Sequence, residues 1–397
     1  MLFPNPDFES GRLSVPDSAD FLFTSSYRSL RGKGVFTEIN QPVAPDSSDR
    51  RKLFLDSVQL AFSKAKDRGI QNPVVVGAVP FDLTQPSRLF IPLECEFFYR
   101  SDMVSSLVSQ SACASRVERI QSVPDEWRFK QSVAQAIANF QHSELQKAVL
   151  SRVLNIELAE QVSVDEILSR LIIQNPAGYH FRIPIQGTQE LIGSSPELLI
   201  RKIGVELVSN PLAGSAKRQN NADLDRAVGE SLLTSSKDSY EHRVVVDEIR
   251  QVLTPYCETL SIPSTPDLIS TPAMWHLSTL INGQLKNPKM SALELACQLH
   301  PTPAVCGFPT KDARNLIRLV ESFDRGLFTG MVGWCDAEGN GEWVVTIRCG
   351  TVSGNQIQLF AGAGIVKDSC PESEWLETGA KLGTMLKALG IEQQEAL

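Results

Sequence analysis

A chain of 397 residues, 42% of them hydrophobic and 21% charged, is long enough for one large or two ordinary globular domains. The net charge of -8 and the absence of a basic stripe argue against a nucleic-acid partner. No apolar stretch approaches the length of a membrane span, and the first twenty residues lack the basic and apolar regions of a signal peptide. We therefore predict a cytoplasmic protein without a membrane partner.

The eight cysteines are scattered without a C-x-x-C pair, and the five histidines show no metal-ligand spacing. This pattern is typical of reduced, buried thiols in a cytosolic protein, and it disfavours a disulfide framework or a zinc site.

In the first third of the chain the patterns are weak. Residues 1–20 are polar and rich in proline, and we expect them to be loosely ordered. An amphipathic helix is predicted over 49–69 and a buried strand over 73–82. The Ser-rich stretch 101–122 reads as a connector, so we divide the chain into an N-terminal part over 21–125 and a catalytic region over 126–392, which together most simply form one continuous domain.

The second part has sharper signals. Val133, Ile137 and Phe140 share one helical face, while 147–158 alternates as a strand does, and Ser163 with Glu166 forms a capping box before another helix. Further along, the predicted elements are helices over 222–234 and 236–256 and a three-strand meander over 331–364, with turns at "EGNG" and "SGNQ". Hairpin-linked strands with helices gathered between them favour an α+β fold built on antiparallel sheets.

Two isolated residues could carry proton chemistry. Lys147 is in phase with Val149 and Ser151 on one face of a predicted strand, so it either guards a sheet edge or lies in a pocket as a general base. Glu197 lies where the chain turns into a strand after Pro196. It is either a solvated turn carboxylate or, if partly buried, a proton donor with a raised pKa.

Three further carboxylates lie on predicted helices. Glu374, Glu377 and Lys381 are spaced i, i+3, i+7 and share one helical face, where Glu377 and Lys381 could simply form an i, i+4 ion pair. Glu241 follows Lys237 by four residues and could likewise pair with it. The alternative is an all-oxygen set of Glu241, Glu374 and Glu377 that binds Mg²⁺.

The segment "LFAGAGIV" holds Gly362 and Gly364 but lacks the third glycine of a dinucleotide-binding loop. Its glycines either allow close packing or a turn, or let backbone N–H groups approach a carboxylate. Arg348 is predicted within a strand of apolar alternation, where a buried arginine needs an anionic partner.

Nine segments resemble, in the same order, the signature segments of the chorismate-utilising enzymes, which include isochorismate, salicylate, anthranilate and aminodeoxychorismate synthases. They are "KAVLSR", "SSPELL", "PLAGSAKR", "SSKDSYEH", "LHPTPAVCGFP", "FDRGLFTGMVGW", "WVVTIRC", "AGAGIV" and "EWLETGAK". The resemblance covers roughly 126–390 and extends through "NPVVVGAVPFD" to the isochorismate synthases of catecholate-siderophore pathways, the enterobactin type.

The resemblance implies two large antiparallel β-sheets packed against each other with helices on the outside, and a cleft that binds chorismate through Mg²⁺. It also implies the role of each candidate. Lys147 matches the base that activates water, and Glu197 the acid beside the departing hydroxyl. Glu241 and Glu377 match the metal ligands, with Glu374 close by, and Arg348 and Lys381 match contacts to the substrate carboxylates. The pocket lining is matched by Gly214, Ser215, His276 and a glycine turn at Gly362 and Gly364.

Within the family, Lys147 together with Ala213 resembles the enzymes that use water, because aminodeoxychorismate synthases carry lysine at the position of Ala213 and anthranilate synthases lack the base. We therefore expect a reversible, Mg²⁺-dependent isochorismate synthase for siderophore biosynthesis. The alternatives are a salicylate synthase, a menaquinone-pathway isochorismate synthase and a non-catalytic chorismate-binding scaffold. The resemblance also implies a monomer, with transient contact to the next pathway enzyme as a further expectation.

Overall fold

The computed structural model describes residues 21–43, 48–104, 107 and 116–392. The N-terminal residues 1–20, predicted to be loosely ordered, and residues 105–106 and 108–115 of the Ser-rich connector lie outside these ranges. Within them, no helix is both long and apolar enough to cross a bilayer. The described cysteines are all free thiols, five of them buried, while Cys95 and Cys370 are exposed.

Strands dominate the described residues. In chain order they are β1 Phe21–Thr24, β2 Ser29–Lys33, β3 Thr37–Ile39, β4 Val74–Val79, β5 Arg88–Ile91, β6 Glu94–Phe98, β7 Val117–Val123, β8 Lys147–Leu158, β9 Tyr179–Gln186, β10 Gln189–Ser195, β11 Leu198–Ile203, β12 Glu206–Asn210, β13 Leu212–Lys217, β14 Cys257–Ser261, β15 Asp267–Ser270, β16 Met274–Ser278, β17 Ile281–Leu285, β18 Gly307–Phe308, β19 Met331–Asp336, β20 Gly341–Val345, β21 Cys349–Ser353 and β22 Gln356–Ile365. The helices are α1 Ser48–Asp67, α2 Arg100–Val104, α3 Glu126–Phe140, α4 Val164–Gln174, α5 Ala222–Thr234, α6 Ser236–Leu253, α7 Ala292–Leu299, α8 Thr310–Val320 and α9 Pro371–Leu389.

These strands form two large sheets and one small sheet by antiparallel pairing. Sheet I has the order β18-β8-β22-β21-β10-β9-β1-β2-β6, with β7 also paired to β8, and sheet II has the order β14-β17-β12-β11-β20-β19-β4-β5-β3. The small sheet has the order β13-β16-β15. The predicted α+β fold with two large antiparallel sheets is confirmed, and the small sheet is an addition that the sequence patterns did not indicate. The division of the chain at 125 stays a prediction.

Apolar residues from both large sheets meet in one core cluster, which includes Phe23 and Phe181 from sheet I and Val76, Trp334 and Val344 from sheet II. The opposite faces carry the helices. Helices α1, α6 and α7 contribute to the cluster on sheet II, and α4 and α9 to a cluster on sheet I. Each large sheet is therefore covered by helices on its outer face, as expected for strands with one face in the core.

Local capping signals define several helix boundaries. The Ser163 side chain accepts a hydrogen bond from the Glu166 N–H at 3.3 Å, so the predicted cap of α4 is confirmed. Helix α9 begins at Pro371, and Gly390 ends it in a left-handed conformation at φ 75°. Helix α6 ends at Leu253 rather than at 256.

Two of the places where the chain crosses between the two large sheets are neighbours and bear on the site. The chain passes from β10 to β11 through Pro196 and Glu197, and from β20 to β21 through residues 346–348. The predicted three-strand meander over 331–364 is therefore wrong, because four strands occupy that range and the first two belong to sheet II. Apolar alternation runs through the crossing, so the pattern gives no sign of the change of sheet.

Candidate active site

Glu197 and Arg348 each lie at one of these two neighbouring crossings between the sheets. The Glu197 carbonyl accepts from Val345 N–H at 3.2 Å, and the Arg348 carbonyl accepts from Ser194 N–H at 3.0 Å, so the crossings brace each other. Arg348 is not in a strand, contrary to the sequence prediction: its backbone has φ 52°, in the left-handed region. This conformation turns the chain from one sheet into the other.

A cleft lies beside these crossings and encloses about 620 Å³ of empty space, counted up to its open mouth. A concave site with apolar side chains and a few polar groups in its lining is typical of sites for small molecules. Most predicted site residues line it, namely Glu197, Gly214, Ser215, Glu241, His276, Arg348, Gly362, Gly364, Glu377 and Lys381. Lys147 and Glu374 lie just behind this lining.

Lys147 begins β8 and is fully buried. Its Nζ lies 3.0 Å from Glu241 Oε1, and no atom of the described residues accepts a hydrogen bond from it. The alternative of an edge lysine is wrong, because the side chain points into the protein. The suggested ion pair between Glu241 and Lys237 is also wrong: within the described residues, Glu241 pairs with Lys147.

Gly362 and Gly364 lie in the second half of β22, paired with Ser151 and Val149 of β8. They form no turn, so the glycine turn implied by the resemblance is wrong and the alternative of close packing is the one present. A Cβ on Gly364 would lie 2.0 Å from Glu241 Oε1 and 3.0 Å from Lys147 Cε. A glycine at this position is therefore required for the Lys147–Glu241 pair to fit against the strand.

One face of α9 turns toward the cleft. Glu377 Oε1 lies 2.6 Å from Lys381 Nζ and accepts from Ser215 Oγ at 3.0 Å, so the suggested i, i+4 pair is present. Lys381 also donates to the Gly362 carbonyl at 2.9 Å. Glu374 is buried and pairs with Lys237 of α6 at 2.9 Å. Each candidate metal carboxylate therefore has a lysine partner in this structure.

The charges of these carboxylates are strongly linked. Burial, together with the neighbouring Glu377, raises the pKa of Glu374 to about 7. Burial acts the same way on Glu377, but Lys381, Lys237 and the Ser215 hydroxyl outweigh it and lower the pKa of Glu377. A cation beside Glu374 would favour its ionised form, which burial and the neighbouring Glu377 oppose.

The donor set fits a hard divalent cation. Within the described ranges no three His, Cys, Asp or Glu side chains converge closely enough to bind a metal by themselves. Mg²⁺, however, keeps several waters and takes one or two protein carboxylates together with substrate oxygens. Glu374 Oε2 is buried and has no hydrogen-bond partner among the residues that the structure describes. This oxygen is thus available to a cation or to a water on it.

The remaining polar groups of the cleft suit an anionic ligand. Arg348 has no ion-pair partner among the described residues, and burial lowers its pKa to about 10, so it stays charged near neutral pH. His276 lies opposite Ser215 in the small sheet, and its Nε2 has no described hydrogen-bond partner. Burial lowers the pKa of His276 well below its ordinary value, so the ring is neutral.

Burial also sets the state of Glu197. It raises the pKa of this carboxyl to about 7, against the lowering effects of the Leu212 N–H and of Lys147, Arg348 and Lys381. The alternative of a solvated turn carboxylate is therefore wrong. A carboxyl with this pKa is a mixture of protonated and ionised forms near neutral pH, as a proton donor requires.

Several residues of the site escaped prediction. Thr329 lines the cleft and has φ 57°; in the part of the chain that the structure describes, it and Arg348 are the non-glycine residues with positive φ. Such backbone outliers concentrate at functional sites. Sequence periodicity does not mark a residue with a strained backbone. The positions of Thr329 in "FDRGLFTG" and of Arg348 in "VVTIRC", two segments of the family resemblance, are the only indication in the sequence. Lys237 pairs with Glu374, whereas its spacing in the sequence suggests an ion pair with Glu241.

The fold and cleft together define a class: an antiparallel two-sheet protein with a buried site for a small anionic molecule, flanked by an acid, a lysine and a carboxylate cluster. Residues 96–390 match the family of chorismate binding enzymes. The chain therefore belongs to the chorismate-utilising enzymes, as the sequence resemblance predicted.

Similar proteins span nearly the whole chain. Isochorismate synthase EntC of Escherichia coli K12 is 46% identical over 377 residues, which are 94% of this chain and 95% of the relative. The vibriobactin-specific isochorismate synthase of Vibrio cholerae is 44% identical over 95% of this chain and 93% of its own length. A Bacillus anthracis crystal structure, described as that of a 2,3-dihydroxybenzoate-specific isochorismate synthase, superposes with a TM-score of 0.88 at 40% identity and covers 95% of this chain and 98% of its own.

Proposed function

We propose that this protein is an isochorismate synthase that interconverts chorismate and isochorismate reversibly and supplies a catecholate siderophore pathway. Water adds at C2 of the ring and the C4 hydroxyl leaves as water, so substrate and product have the same mass. The relatives named above are isochorismate synthases by name and resemble this chain over nearly its full length, which supports this proposal.

The observation that carries the proposal is the arrangement of Lys147 and Glu197. One is a buried lysine behind the cleft and the other a buried carboxyl on its lining, and the charge of Lys147 acts on Glu197. An addition–elimination with water needs a base for the attacking water and an acid for the departing hydroxyl. A lysine and a glutamic acid with a raised pKa, on either side of one ring, are suited to these two tasks.

Binding of the substrate relies on local cations, because the protein as a whole carries a net charge of -8. Chorismate is a dianion, and Arg348 and Lys381 both line the cleft. We assign these two side chains to the substrate carboxylates. Arg348 is suited to bidentate contact, since no described carboxylate occupies its guanidinium. The neutral His276 supplies a further hydrogen bond from the small sheet.

In the forward reaction, Lys147 acts as the neutral amine and accepts a proton from the water that attacks C2, and Glu197 donates a proton to the C4 hydroxyl as its bond to carbon breaks. In reverse, the two residues exchange these tasks. The Lys147–Glu241 contact holds Lys147 Nζ in one position behind the cleft. Each of the two proton transfers contributes about 10²–10⁴-fold to the rate.

We further propose that Glu241 and Glu377 bind Mg²⁺, with Glu374 reaching it directly or through water. When bound, Mg²⁺ supplies positive charge next to the substrate carboxylate on the ring. The buried, unpartnered Glu374 Oε2 and the all-oxygen donor set support this assignment. Lys381, the partner of Glu377, is then free to interact with the substrate.

Product analysis tests this function. The purified protein is incubated with chorismate, with Mg²⁺ or with excess EDTA, and isochorismate, salicylate and pyruvate are resolved by chromatography. We expect isochorismate in the presence of Mg²⁺ only. Salicylate with equimolar pyruvate would instead make the protein a salicylate synthase, and no turnover under any condition would indicate a non-catalytic chorismate-binding protein.

A further inference from the structure

The strand that carries Lys147 has a gap along one edge. Strand β22 pairs with β8 along its whole length on one side. On the other side, β18 pairs only with residues 147–148 and β7 only with residues 153–158. No strand lies opposite residues 149–152 on this side within the described part of the fold. Backbone groups there need other partners, because an unpaired buried amide is costly.

Two side chains fill this gap. Arg325 Nη2 donates to the Val149 carbonyl at 2.7 Å, and Glu321 Oε1 accepts from the Ser151 N–H at 2.8 Å. The Val149 N–H is satisfied by the Cys306 carbonyl at 2.9 Å. A carboxylate and a guanidinium thus replace the backbone acceptor and donor of a missing strand.

Arg325 also connects this edge to the back of the cleft. Its Nη1 donates to the Val305 carbonyl at 2.8 Å and to Thr329 Oγ1 at 3.3 Å. Val149, Val305 and Thr329 all line the cleft. One guanidinium therefore fixes three separate segments that meet at the site, two residues beyond Lys147.

The ion pair itself is a buried one. Arg325 Nη2 lies 2.5 Å from Glu321 Oε1, and the side chains are 2% and 4% exposed. Buried ion pairs add little net stability, because the desolvation of both charges offsets their attraction. A role beyond stability is therefore the better physical account of this pair.

We infer that Glu321 and Arg325 are positioning residues. Their side chains take the place of a paired strand beside Val149 and Ser151, and so they keep Lys147 in position behind the cleft. This inference deepens the proposed function and rests on it for its kinetic consequence. Neither side chain lines the cleft, so the substrate contacts of Arg348 and Lys381 do not depend on them directly.

The test uses Arg325→Lys and Glu321→Gln. Lysine keeps the charge but cannot span the Val149 and Val305 carbonyls in the planar geometry of arginine. We expect kcat, per folded enzyme, to fall about tenfold to a hundredfold because the base is displaced, while KM for chorismate stays within about twofold. Hydrogen exchange of a peptide covering 147–153 should become faster in both variants.

Arg182→Lys is the matched control, since Arg182 is also buried and paired with Glu190 in sheet I but does not line the cleft. It should lose thermal stability and keep kcat. Unchanged kcat in both test variants would overturn the inference, as would losses that simply follow the fraction of folded protein. If the wild-type protein makes no isochorismate, the proposed function fails, and the exchange experiment still decides whether the pair holds the strand.

Discussion

Lys147 Nζ lies 3.0 Å from Glu241 Oε1, although Lys147 begins a strand of sheet I and Glu241 belongs to a helix that packs on the other side of the cleft. This contact connects the proposed base to the proposed metal site. Gly364 permits it, because any side chain at that position would occupy the space of the Glu241 carboxylate. The three residues come from segments that are distant in the sequence, and the contact arises only in the folded protein.

Replacing Lys147 by methionine should remove the base and keep most of the buried volume. We expect kcat to fall about 10²–10⁴-fold. KM should change little, because Arg348 and Lys381 remain. Steady-state kinetics on folded protein measures both values. Lys202→Met is the control, since Lys202 is buried but donates to the Pro288 carbonyl away from the cleft. A Lys147→Met protein with more than about a tenth of the wild-type kcat would show that another group activates the water.

The pH dependence should report on Glu197, whose pKa burial raises to about 7. The acid acts in its protonated form, so kcat should decrease as the pH rises through about 7. The same shift stabilises the fold at low pH, and this contribution is lost as the pH rises through the folded-state pKa.

Glu197→Gln should lower kcat about 10²–10⁴-fold and remove this alkaline limb. Glu342→Gln is a close control: burial raises the pKa of Glu342 to about 7 as well, but this residue pairs with Arg201 outside the cleft. If the Glu342 substitution altered the pH profile and the Glu197 substitution did not, Glu197 would not be the proton donor.

Gly364→Ala tests the space for the Lys147–Glu241 pair. The new Cβ would lie 2.0 Å from Glu241 Oε1, so the carboxylate must move away from Lys147. We expect a loss of activity comparable to that of Lys147→Met. Gly32→Ala is the matched strand control, because the nearest atom there is Pro92 Cβ at 3.1 Å, remote from the cleft. A crystal structure of an active Gly364→Ala enzyme with the pair undisturbed would contradict this explanation.

Removal of the metal should abolish turnover reversibly. Mg²⁺ that binds only the folded protein should also raise its melting temperature, by an amount that grows with concentration. Glu377→Gln should weaken both effects. Glu372→Gln, on an exposed position of the same helix, should leave them unchanged. Full activity in EDTA, or a wild-type melting temperature that does not change with Mg²⁺, would show that the protein does not use the metal.

Much of the local structure could be predicted because its causes are local. The strand over 147–158 and the helix over 222–234 have the predicted bounds, and the Ser163 cap is present as its sequence motif indicated. In each case the pattern and the structure depend on neighbours within a few residues of each other.

The remainder depends on long-range contacts. Lys237 is four residues from Glu241 in the sequence, yet it pairs with Glu374 from another helix. The sequence predicts Arg348 within a strand because the alternation of apolar residues is the same on both sides of a crossing between sheets. In the structure Arg348 lies at the crossing itself. The site as a whole could be proposed only through the resemblance to the chorismate-utilising enzymes, since no spacing shows that these segments meet.

In the proposed reaction, water adds at C2 of chorismate while the C4 hydroxyl leaves, and incubation in ¹⁸O-labelled water with Mg²⁺ follows this exchange of oxygen. Mass spectrometry of the product should show isochorismate heavier by one ¹⁸O, located at C2, and Lys147→Met should form this species far more slowly. Unlabelled isochorismate would contradict addition of solvent water, and labelled salicylate released with pyruvate would contradict the assignment as a simple isochorismate synthase.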